Sequence, residues 1–322
     1  MNGVRRAVID IGTNSVKLLV GDISEAGVSP VCELSEQTRL GAGFFETQLL
    51  QPAAVKATGD CLKRFSTEAR ELGAEHLRVI ATSAAREARN PEVLKEVVLS
   101  STGLNLEIIS GDQEALWAFQ GVSSDGRFAN APLLLLDVGG GSTEFILGEN
   151  GAILFKKSYP LGTVRLLEML PHSDPPTPEE LSKVRIFVEQ FLKEQVLGDD
   201  PWKTWLQLFR MSPSDAKYKP PVLIGTGGTS TLLAKMRLKM AGYERDAIES
   251  VVIQRSDLMA QTSLLWSLPL EERKATPGLP SNRADVILIG TVIFETVMRI
   301  LDFEELHIST KGLRYGALMA KD

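Results

Sequence analysis

The chain has 322 residues, 43% hydrophobic and 24% charged, a balance that fits a two-domain globular protein and excludes a disordered or fibrous one. With 35 basic and 41 acidic residues and a net charge of −6, it lacks the electrostatic footprint of a nonspecific nucleic-acid binder, although local cation clusters can still serve an anionic ligand. Cys32 and Cys61 are too few and too far apart for a zinc site or a disulfide framework, and no apolar run reaches the ~18 residues of a membrane helix, so a reducing, cytoplasmic setting away from membranes is expected.

In chain order, residues 7–11 and 16–20 read as strands flanking Gly12-Thr13-Asn14-Ser15, a hairpin signal. After Pro52, apolar residues recur at helical spacing until Gly73. A strand over 77–81, a helix over 91–101, a strand over 106–109 and a helix opening near Glu114 follow. Strands are then expected over 133–137, 144–147 and 153–159, and Thr177-Pro178-Glu179-Glu180 reads as a capping box opening a helix. Residues 198–221 read as loop and broken helix, 222–224 as a strand, 230–241 and 287–301 as helices, and 306–309 as a final strand. Helices alternating with short apolar strands indicate an α/β protein.

One design occurs twice. DIGTNSVK (10–17) and DVGGGSTE (137–144) share aspartate, glycine and serine at the same offsets, with apolar residues on both sides. A glycine-dominated turn lets backbone N–H groups approach a ligand closely and form an anion-binding nest. Each turn also starts at a carboxylate, where a divalent cation could bridge to a phosphate oxygen, and magnesium suits such oxygen ligands. A third glycine-rich turn, IGTGGTS (224–230), lies between a strand and a helix whose N-terminus favours anions. A plain hairpin whose glycines serve turn geometry explains one copy; the set points to phosphate.

The set resembles the actin-like ATPase superfamily, in which two related α/β (ribonuclease H-like) domains face each other across a phosphate-binding cleft. ATSAAREARN (81–90), ISGDQEA (109–115), PLGTVR (160–165), Glu272-Arg273, Pro277-Gly278, RAD (283–285) and ISTKGLRYG (308–316) are similar to successive motifs of the exopolyphosphatase and guanosine pentaphosphate phosphohydrolase (Ppx/GppA) family. Two features depart from that family's pattern. Gln113 stands where a first acid is usual, and the chain resembles the short, two-domain form without the added helical region.

The resemblance implies hydrolysis of a terminal phosphoanhydride, with release of orthophosphate from inorganic polyphosphate and, as the rival substrate, guanosine pentaphosphate. Glu114 would orient the attacking water as base. Asp137, Glu144 and Asp10 would hold Mg2+, with other divalent cations and potassium stimulation left open. Thr13, Asn14, Ser15, Lys17, Arg86, Gly139, Gly140, Gly141, Ser142, Gly227, Gly228 and Thr229 would bind phosphate, Arg86 by bidentate contact. A discontinuous first domain, 1–127 plus 304–322, would enclose a second, 128–303, and a homodimer is the family expectation. An actin-like kinase and a non-catalytic polyphosphate or alarmone sensor remain rivals.

Overall fold

The computed structural model describes residues 4–25, 27–128, 131–198, 202 and 221–320. Most of the stretch expected as loop and broken helix, 203–220 with Trp205 and Phe209, lies outside the described residues. Two mixed sheets carry the fold. The first contains β1 (Val4–Ile11), β2 (Val16–Ser24), β3 (Gly27–Glu36), β4 (His76–Ala81) and β5 (Leu106–Ile108), in the order β3-β2-β1-β4-β5. Its first three strands are antiparallel and β4 and β5 run parallel to β1.

The second sheet repeats that plan. It contains β6 (Leu133–Val138), β7 (Thr143–Glu149), β8 (Ala152–Tyr159), β9 (Val222–Thr226), β10 (Val252–Gln254) and β11 (Glu305–Ile308), in the order β10-β11-β9-β6-β7-β8. Here β6, β7 and β8 form the antiparallel meander, β9 and β11 run parallel to β6, and β10 is an added edge strand. The sequence repeat is therefore a structural repeat.

The leucine run 133–136 belongs to a strand covered on both faces. Because side chains alternate along a strand, Leu134 and Leu136 enter a core with the helix Ile287–Leu301, while Leu133 and Leu135 meet Ala115, Ala118, Phe119 and Val122. The first sheet is likewise covered on both faces. Ala7, Ile9 and Ile11 pack with the helices Pro52–Glu71 and Pro91–Thr102, whereas Val8, Leu19 and Ile80 pack with Trp117, Leu313, Tyr315 and Leu318.

Two helices cross between the halves. Gly111–Ser123 follows β5 of the first sheet and lays its apolar side on the second; Leu313–Met319 follows β11 of the second sheet and packs on the first. They meet backbone to backbone. A Cβ on Gly316 would stand 2.0 Å from the Trp117 carbonyl oxygen, and one on Gly121 would stand 2.2 Å from that of Gly312.

Strand pairing and packing set two segments near the expected domain limits in both halves. The strand assigned to the first domain from residue 304 pairs with β9 through Leu306 and Leu223, so the return crossing starts after Ile308. The Gly111–Ser123 helix, placed in the first domain by the limit at 127, supplies core to the second sheet. Hydrogen-bond partners and packing decide membership, and neither is local in sequence. The structure also adds β3 and the helix Thr163–Met169, and starts the helix expected at 230 at Gly227.

Candidate active site

Both repeated turns close in the same way: Gly12 N–H donates to Ser15 O at 2.9 Å, and Gly139 N–H to Ser142 O at 2.9 Å. They differ at the cross-strand partner of the aspartate. Asp10 lies opposite Lys17, whereas Asp137 lies opposite Glu144 and, on its other side, Thr226. The first copy is thus charge-balanced and the second doubly acidic.

The turns face each other across a cleft. A Cβ on Gly140 would stand 3.0 Å from Thr13 Cβ, and one on Gly141 would stand 2.7 Å from Thr13 Oγ1 and 2.4 Å from Ser83 Oγ. The third turn completes the floor. Gly227 has φ +82°, a left-handed conformation suited to glycine, and a Cβ there would lie 2.1 Å from Asp137 Oδ1. Gly228 and Thr229 continue directly into the helix Gly227–Leu238.

A cavity of about 470 Å3 is lined by Asp10, Thr13, Asn14, Ser15, Lys17, Glu114, Asp137, Gly139, Gly140, Gly141, Ser142, Glu144, Gly227, Gly228 and Thr229. Several of these side chains already have partners. Ser142 Oγ and Ser158 Oγ donate to Glu144 Oε1 at 3.0 and 2.6 Å, Thr229 Oγ1 donates to Val138 O at 2.8 Å, and Asn14 Oδ1 accepts from Gln37 Nε2 at 3.0 Å.

Arg86 is the exception. It lies outside this cavity, donating from Nη1 to Glu114 Oε2 at 2.9 Å and to Ile109 O at 3.0 Å. Its guanidinium is thus paired with the Glu114 carboxylate at the edge of the cavity. The helix Ser83–Glu87 carries Arg86 toward the start of the Gly111–Ser123 helix, and only that juxtaposition decides its partner.

The acids share an electrostatic predicament. Glu114 is 7% exposed, and burial raises its pKa to about 7 against the opposing pull of Arg86. Burial also raises Asp10 and Asp137, each opposed by Lys17, and holds Glu144 well above the usual range, with Glu114 and Asp137 adding repulsion. Burial lowers the Lys17 ammonium, with Asp10 the largest opposing influence. Asp10 Oδ1 is buried without a hydrogen-bond partner.

These features fit a cation. Among the described residues no three His, Cys, Asp or Glu side chains converge on one point, and one or two carboxylates with phosphate oxygens are the usual ligands of magnesium. Further cations enter the cavity from segments that local sequence patterns did not single out for phosphate. Arg283 reaches across to Ser15 Oγ, and Arg314 donates to Leu18 O at 2.8 Å and Glu33 Oε2 at 3.2 Å. Both lie in runs noted for their resemblance, but nothing local says where they point.

Comparisons with known proteins agree on one lineage. The model of the Ppx/GppA phosphatase family matches residues 19–321. The chain is 33% identical over 307 residues to Exopolyphosphatase 2 of Mycobacterium tuberculosis, covering 92% of this chain and 91% of that one. It is 25% identical over 315 residues to the guanosine-5'-triphosphate,3'-diphosphate pyrophosphatase of Vibrio vulnificus, covering 96% of this chain and 58% of that longer one. The crystal structure of the Aquifex aeolicus member of the Ppx/GppA family, 30% identical, superimposes with a TM-score of 0.75 over 98% of this chain and 96% of its own.

Proposed function

Because the chain belongs to the Ppx/GppA phosphatase family, a family of phosphoanhydride hydrolases, we propose that it is an exopolyphosphatase releasing orthophosphate from the ends of inorganic polyphosphate. The observation that carries this reading is the placement of Glu114, a buried carboxylate with a pKa near neutrality, on the wall of a cavity built from glycine turns. The mycobacterial relative, matched over nearly its whole length, supports polyphosphate as the substrate.

In this reading Glu114 takes a proton from the water that attacks the terminal phosphorus, and Arg86 holds the carboxylate in place from behind. The N–H groups of the two turns, with Lys17, Arg283 and Arg314, surround the phosphate oxygens. Asp10, Asp137 and Glu144 are the acids that would hold Mg2+, one or two of them directly with substrate oxygens, and the cation would neutralise charge on the anhydride. The protein acts in the cytoplasm as a homodimer; fractionation and sedimentation equilibrium test those two points.

Guanosine pentaphosphate is the second reading. Leu34, Leu232 and Tyr243 also line the cavity, a surface a nucleoside can use and a bare phosphate chain cannot. The deciding experiment measures orthophosphate release from long-chain polyphosphate, guanosine pentaphosphate and ATP, with and without Mg2+, for the wild type and Glu114→Ala. Metal-dependent release from polyphosphate that outpaces the nucleotides, and is lost in the variant, supports the exopolyphosphatase. Preference for guanosine pentaphosphate selects the second reading, and tight binding without turnover of any substrate leaves a sensor.

A further inference from the structure

A second, smaller cavity of about 320 Å3 lies behind the reaction centre. Its inner wall is formed by Arg86, Ser142 and Ser158, and each of these is hydrogen-bonded to a carboxylate that lines the front cavity: Arg86 to Glu114, and both serines to Glu144. Ser142 lines both spaces. The two linings therefore share Ser142 and are joined by the Arg86–Glu114 and Ser158–Glu144 hydrogen bonds.

We infer that this rear cavity is the route by which orthophosphate leaves, so that the shortened polymer stays in the front cleft. The inference rests on the exopolyphosphatase reading. Hydrolysis forms a bond from the water oxygen to the terminal phosphorus and breaks the bridging P–O bond. The water's proton passes to Glu114, and the bridging oxygen remains on the polymer. Orthophosphate is then enclosed between Glu114 and the remaining chain, which fills the way it came in.

Arg86 offers the way out. An orthophosphate oxygen can accept from the Arg86 guanidinium where Glu114 Oε2 now does, so Arg86 can exchange one partner for the other. Beyond it the lining includes Ser110, which caps the N-terminus of the Gly111–Ser123 helix, and Lys157 on β8. The two acids of this cavity are both neutralised: Glu87 accepts from Arg165 at 2.7 Å, and Asp112 pairs with Lys156 at 3.2 Å. An anion therefore meets a path without net repulsion.

The test narrows the rim without touching the reaction centre. Lys157 is exposed, and tryptophan is a good strand residue, so Lys157→Trp fills space while β8 keeps its register; Lys157→Met removes the charge alone. Steady-state orthophosphate release from long-chain polyphosphate is expected to fall about tenfold or more in Lys157→Trp, while acid-quenched samples show a burst of about one orthophosphate formed per site, because product escape becomes limiting. Tripolyphosphate should be cut within about twofold of the wild-type rate, because its short remnant leaves by the front and orthophosphate follows, and Lys157→Met should keep both rates within about threefold.

An unchanged long-chain rate in Lys157→Trp overturns the exit route, as does an equal loss on both substrates without a burst. A wild type that cuts no polyphosphate of either length overturns the substrate reading and the exit route together.

Discussion

Glu114 combines two opposing influences, burial that favours its neutral form and Arg86 that favours its charged form. Replacing it with glutamine keeps the shape and removes the base, so Glu114→Gln should lower kcat by a factor on the order of 10² or more, with polyphosphate binding retained. Rapid-quench measurement of the chemical step, paired with a binding titration, checks this. As a base the group must be deprotonated, so kcat/KM should fall about tenfold per pH unit below about 7. Arg86 pulls the Glu114 pKa down, so Arg86→Ala should move that acid flank to higher pH, a shift read from the pH profile. Glu114 was singled out through the resemblance of the run ISGDQEA to a family motif, and the structure puts it in the first turn of the expected helix. The partner of Arg86 was not, because a long side chain's destination depends on an element distant in the chain.

At the scale of elements, the strands and longer helices follow from local pattern. The capping box at Thr177 and Glu180 closes as expected, with Glu180 N–H donating to Thr177 Oγ1 at 3.2 Å and Thr177 N–H donating to Glu180 Oε2 at 2.8 Å. The strand β3 has most of its side chains half-buried or exposed and so carries a weak apolar signal. The crossing helices depend on glycine where their backbones meet. Gly316→Ala places a methyl group within 2.0 Å of a carbonyl oxygen that a rotamer change cannot move. The helices must separate, at a cost of about 1–3 kcal/mol or more by the usual measure of overpacking, visible as a lower chemical-denaturation midpoint. Gly73, with open space around its Cβ position, offers a contrast: its positive φ of +79° makes Gly73→Ala a backbone-strain effect without any clash.

At the scale of the whole molecule, side chains tie the halves together across the mouth of the cleft. Glu168, on the helix Thr163–Met169, accepts from Gly43 N–H at 2.7 Å and Phe45 N–H at 3.2 Å, and Arg39 pairs with Asp285 at 2.8 Å. Removing the Glu168 carboxylate should favour the open cleft by about 1–2 kcal/mol, because charge-assisted bonds at an exposed site are worth little more than that. Glu168→Ala is thus expected to raise KM for polyphosphate by up to about tenfold with a smaller change in kcat, a split that steady-state kinetics resolves. The sequence by itself determined the α/β class, the doubled DxGxxS hairpin and the three glycine turns that line the cavity, because each of these is a local property of turn geometry, strand periodicity or spacing, while Glu114 was placed by resemblance to a family motif. Only the tertiary structure decided that β11 joins the second sheet, that Arg86 stands behind Glu114, and that Arg283 and Arg314 enter the cavity. Those outcomes depend on pairing and burial between segments far apart in the chain, where no local pattern records the partner.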